Sequence, residues 1–128
     1  MKPDLPQTVF LLNSTVLLTH QIDAAYWHEW NLFHLPGGNQ FNLILNLPII
    51  ALALMAFLQV ATHSPLQRLS HQFLAGLGLL TVAIHSGFFL AGHPEFRQPM
   101  SLFLLAATFI LSLAQLKTLP PANRNSKT

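Results

Sequence analysis

The sequence predicts an all-α membrane protein, a bundle of four transmembrane helices, and three observations carry that expectation. Of 128 residues, 52% are hydrophobic and only 8% charged, against roughly 25% charged in an ordinary soluble domain, so the surface could not be covered with solvating groups in water. Four long apolar segments, each close to the roughly 20 residues a membrane-crossing helix needs, are separated by breaks bearing Pro, Gly and His. Five of the six Lys and Arg residues (Lys2, Arg68, Lys117, Arg124 and Lys127) fall on one side of those segments and only Arg97 on the other, the asymmetry that sets orientation in a bilayer.

The first segment spans about residues 8–30. Its apolar run, 9–18, contains Asn13, Ser14 and Thr15, which predicts a helix that faces partners rather than lipid. Lys2 ahead of that run and Ala24-Ala25 behind it also suit a signal peptide; a retained helix is expected. Leu35-Pro-Gly-Gly-Asn39 is the strongest turn signal in the chain. The second segment, about 40–62, is apolar apart from Asn46 and Gln59 and holds Pro48, which costs one backbone hydrogen bond. His63-Ser-Pro65 breaks it. The third, about 66–92, carries Gly76 and Gly78, small residues that admit a close neighbour helix, and later His85. After a polar loop, 93–99, the fourth and most uniformly apolar segment runs over about 99–116. Residues 1–116 thus form one transmembrane domain, and 117–128 a polar tail expected to be disordered.

The basic bias places both termini in the cytoplasm, in the plasma (inner) membrane or, in a cyanobacterium, the thylakoid membrane. The net charge of +2 comes from scattered residues rather than a basic patch, so no nucleic-acid partner is expected. The absence of cysteine excludes thiolate metal sites, disulfides and thiol nucleophiles. No nucleophile elbow, phosphate-binding loop or dinucleotide fingerprint occurs.

Asp23, Glu29 and Glu95, three of the four acidic residues, gather with His20, His28, His85 and His93 at the outer end of the segments. Ionisable groups near hydrocarbon are expensive and mark functional positions. His20, Asp23 and Trp27 share one helical face, where Asp23 could orient His20, although a carboxylate and a Trp at this depth also serve as interfacial anchors. His85 lies at about the same depth. His20, Asp23 and His85 are therefore the candidate ligands of a divalent metal, and with Asn46 they define a candidate polar pocket. Without that ion, His85 reads as a neutral core histidine bonded to Ser86 or Asn46. Trp27, His28, Glu29, His93, Glu95 and Arg97 form the expected rim, with Glu29 and Arg97 as an ion pair. His71 and His85, fourteen residues apart, would stack about 21 Å apart along one helix, a spacing compatible with haem or chlorophyll. That reading ranks below the metal because His71 has only His63, in a loop, as second ligand.

The runs Thr19-His-Gln-Ile-Asp-Ala-Ala-Tyr-Trp-His-Glu-Trp30 and Ile84-His-Ser-Gly-Phe-Phe-Leu-Ala-Gly-His-Pro-Glu-Phe96 resemble a family of small bacterial four-helix membrane proteins of unknown function, in which H-x-x-D-A and a following E-W close the first helix and a second His closes the third. The resemblance implies importance for His20, Asp23, Glu29 and His85. More distantly, His20-x-x-Asp23 and Glu29-x-x-x-x-His34 are similar to motifs of the HXXEE membrane families, proposed to be metal-dependent enzymes. Ala24 stands where their second acid would be, and Phe89 where their last His would be.

Two functional classes follow. One is an enzyme or binding protein for a lipid or other hydrophobic small molecule, with His and carboxylate as metal ligands or general acid and base. The other is a non-catalytic accessory or pigment-binding subunit whose partner is a larger membrane complex or a second copy of the chain.

Overall fold

The computed structural model describes residues 2–121, five helices and, among the described residues, no strand. Arg124, Lys127 and most of the expected tail lie outside the described residues. Helix α1 (Leu5–Tyr26) begins at a capping box: Asp4 accepts from the Gln7 amide at 2.8 Å, and the Gln7 side chain accepts from the Asp4 amide at 3.0 Å. Gln7 also donates to the Val60 and Ala61 carbonyls at 3.2 and 3.3 Å, tying the start of α1 to the end of α3 (Gly38–Ala61).

Histidines end three of the helical segments. His28 (φ 53°) follows α1, His34 (φ 53°) follows the one-turn α2 (Glu29–Leu32), and His63 (φ 50°) follows α3. Each is left-handed, the conformation that lets a last turn close on its own carbonyls; after α3 the Ser64 amide donates to the Gln59 carbonyl at 2.9 Å. Gly37 (φ 95°) supplies the left-handed residue before α3, as the Pro-Gly-Gly turn predicts. Pro48 is accommodated inside α3. Helix α4 (Gln67–Leu90) stops at Gly92, and α5 (Pro99–Lys117) starts with Pro at its first turn.

The four long helices pack in the cyclic order α1, α3, α4, α5, with a slighter diagonal contact between α1 and α4. Short connections make successive long helices antiparallel, so the C-terminal ends of α1 and α4 and the N-terminal ends of α3 and α5 share one end of the molecule. By length and apolarity, α3, α4 and α5 could each cross a membrane. The sequence leads one to expect four spans. Helix α1 is 22 residues long, and its run of Asn13, Ser14, Thr15, Thr19, His20, Gln21 and Asp23 keeps it out of that group.

The interior is the polar part of this protein. Asn13, Ser14, His20, Ser70, His71, His85, Ser101, Thr108, Ser112 and Gln115 are buried, while Leu43, Ile44, Leu47, Leu54, Leu80, Phe103 and Ile110 are exposed. Asn13 donates to Ser112 at 3.1 Å and to Gln115 at 2.7 Å, and Gln115 donates to the His71 main-chain carbonyl at 3.1 Å. One network thereby joins α1, α5 and α4. A Cβ at Gly78 would collide with Ser112 Oγ and lie 3.1 Å from Thr108, whereas one at Gly76 would meet nothing; of the two glycines, Gly78 is the one that seats α4 on α5.

Gly78→Ala should therefore lower the thermal unfolding midpoint in detergent micelles, at a cost of about 1–3 kcal/mol from overpacking. Gly76→Ala should be neutral or raise it through helix propensity. Equal effects at both positions would contradict this packing.

Candidate metal and ligand site

The shared end of the helices brings His20 and His85 together. On α1 the buried positions Val9, Phe10, Asn13, Leu17, His20 and Ala24 recur every three or four residues, which turns His20 inward, and His85 closes the same kind of stripe on α4. Their rings meet edge to face, centroids 4.6 Å apart. The third member arrives from outside both helices. Left-handed His28 ends α1 and turns the chain so that α2 lays Glu29 over the pair, its Oε1 3.5 Å from His85 Nε2.

Donor atoms of His20, Glu29 and His85 all lie within 4.8 Å of one another. His85 Nδ1 is 2.8 Å from the Thr81 carbonyl, which can only accept, so Nδ1 carries the proton and the Nε2 lone pair of the neutral ring faces the group. Neither ring nitrogen of buried His20 has a hydrogen-bond partner, nor does His85 Nε2. Buried His71 shares that feature away from this group, so it is the convergence of the atoms here that distinguishes the site. The 3.5 Å between Glu29 and His85 is about the edge of a tetrahedron drawn with Zn–N and Zn–O bonds of roughly 2.1 Å. Phe96, buried and left-handed (φ 64°), closes the group from the α4–α5 loop, its ring centroid 4.4 Å from that of His85.

A cavity of about 190 Å³ opens from this group between α3 and α4. Its polar end holds His20, Glu29, His85, Asn42 and Asn46; its walls include Leu45, Ile49, Leu77 and Leu80. Asn46 donates to Asn42, to the main-chain carbonyl and to Oδ1, both at 2.9 Å, rather than to either histidine.

The other candidate residues lie around this centre. Asp23 is half-buried with one carboxylate oxygen unpaired, and it supplies no atom to the three-residue group. Trp27 keeps a buried unpaired indole N–H beside Phe96. His28 is exposed and packs on Trp30. His93 faces Glu95 at 3.6 Å. Arg97 donates to the His93 carbonyl at 3.0 Å and covers the Phe89 ring, so it forms no ion pair with Glu29. His71 lies buried against the edge of Phe10, remote in sequence from the group.

Burial, and secondarily the negative charge of Asp23, pushes the Glu29 carboxyl up to about 7. A raised carboxyl favours the folded state while both states are protonated, below about 4.5, and that contribution is lost as pH rises through 7. Infrared titration of metal-free protein should show a protonated-carboxyl band with a midpoint near 7, absent in Glu29→Gln and shifted lower in Asp23→Asn. A band lost in the ordinary carboxylate range would contradict the burial of Glu29.

No curated protein and no solved structure matches the chain. A family model, "Family of unknown function (DUF6713)", matches residues 6–120 and so takes in every helix that builds the site; the chain belongs to that family.

Proposed function

We propose that this protein is a four-span integral membrane protein, with both termini cytoplasmic, that binds a divalent metal through His20, Glu29 and His85 and presents it to a lipid-like small molecule near the outer leaflet. The observation that carries the metal is the convergence of two imidazoles and a carboxylate, within 4.8 Å, from three separate helices. Two His and one carboxylate suit zinc and non-haem iron. The Thr81 carbonyl fixes the His85 tautomer that such an ion requires. A bound ion would supply Lewis acidity toward a ligand oxygen.

The membrane reading rests on the inversion of polarity. Large apolar side chains cover the outside while polar groups lie inside, with Asn13, Ser112 and Gln115 paired there, an arrangement suited to lipid, which has no hydrogen bonds to offer. Helix α1 joins as the fourth span because its Asn13, Ser14 and His20 are turned inward. Contact between the His20 and His85 rings at 4.6 Å leaves no room for a planar macrocycle between them, which favours an ion over a pigment.

Protein purified in micelles and equilibrated with zinc should hold about one ion per chain by elemental analysis. His20→Gln, His85→Gln or Glu29→Gln should each weaken that binding by more than the roughly 10- to 100-fold that loss of an outer-shell partner costs, and His93→Gln should leave it unchanged. Undiminished zinc in the variant lacking all three would overturn the site.

A further inference from the structure

We propose that the ligand of the cavity beside the metal group is a single-chain amphiphile whose head group carries a hydrogen-bond donor, a hydroxyl or an N–H, received by Asn46 Oδ1. This rests on the reading of His20, Glu29 and His85 as the polar end of a ligand site, and it names the chemistry of what enters.

Asn46 sets the requirement for a donor. Its amide nitrogen is committed twice to Asn42, and one of those partners is a main-chain carbonyl, which only accepts. The amide orientation is therefore fixed by chemistry, and the atom left over is Oδ1. That oxygen is buried and has no partner, on a side chain lining the same cavity as His20 and His85. A buried carbonyl oxygen without a donor is costly. A ligand bearing only ether or ester oxygens would leave it unpaired. A ligand with a hydroxyl or N–H completes it.

The shape sets the requirement for one chain. A cavity of about 190 Å³ takes a small head and the first carbons of one chain, not the paired chains of a diacyl lipid. Its apolar walls run outward along Leu45 and Leu80, both exposed on the face between α3 and α4, so the remainder of the chain can lie along the apolar exterior. Pro48, two residues beyond Asn46, sits in the helix that forms this wall.

The test compares two probes, a fluorescent long-chain primary alcohol and its methyl ether, binding to zinc-loaded protein in micelles. The alcohol should bind about tenfold tighter, the value of one hydrogen bond made or missed in a buried site. In Asn46→Leu that preference should vanish while zinc content stays at the wild-type level. Asn46→Ser, which keeps an oxygen at this position and less bulk, guards against misfolding of the first variant and should retain part of the preference. Equal affinity of both probes for wild-type protein overturns the inference, as does a preference that survives Asn46→Leu. Failure to hold zinc would count against the metal reading, and it is scored separately by elemental analysis of the same samples.

Discussion

Asn13 is the point on which the arrangement of helices depends. It is fully buried on α1, and its amide reaches Ser112 and Gln115 on α5, while Gln115 continues to the main chain of α4 at His71. In a bilayer, apolar packing would do little to choose between helix registers, since lipid is as apolar as the side chains it replaces. Hydrogen bonds of defined length do choose. With three helices registered at one end by this network, and with Gly78 letting α4 settle on Ser112 and Thr108, His20 and His85 come to the same depth at the other end.

Both ends hold buried polar atoms without partners. At the Asn13 end, the amide nitrogens of Asn13 and Gln115 find acceptors, while Asn13 Oδ1, both His71 ring nitrogens and Thr108 Oγ1 do not. At the Glu29 end, His20 is left with both ring nitrogens unpaired, His85 with its Nε2, and Asn46 with its carbonyl oxygen. Those unpaired atoms surround one group and one cavity. What sets the Glu29 end apart is convergence: there the donor atoms of two histidines and a carboxylate lie within 4.8 Å of one another beside a cavity, and that is the physical basis for assigning it to ligands. The raised carboxyl of Glu29 belongs to the same picture: a group held away from water, beside another acid, waiting for a cation or a proton.

Much of the helical layout was legible in the sequence, because apolar runs bounded by Pro-Gly-Gly, His-Ser-Pro and Gly-His-Pro leave little choice of where helices start and stop. The shared depth of His20 and His85 was legible from their distance to those boundaries. The role of Glu29 was not. Periodicity sets it beyond the first helix and so at the rim, and only the left-handed turn at His28 carries it back over the bundle. A histidine in that conformation leaves no mark in sequence, unlike glycine. Asp23 drew attention through its i, i+3 spacing to His20, yet sharing a helix face does not bring two side-chain tips to one point, and the carboxylate that reaches the histidines comes from α2. Asn46 faces the cavity, but the nearest strong acceptor for its amide was one turn away on its own helix, at Asn42, which spacing alone does not rank above a histidine on another helix. The length and apolar run of helix α1 predict a fourth span, while by length and apolarity α3, α4 and α5 are the helices that could cross a membrane.

Anomalous diffraction at the zinc edge, from crystals grown in a lipid phase with zinc, tests whether two imidazoles and the Glu29 carboxylate surround one ion. One dominant peak bounded by His20, Glu29 and His85 is expected. Peaks confined to the more exposed His28, His63 or His93, with none among those three residues, would contradict it.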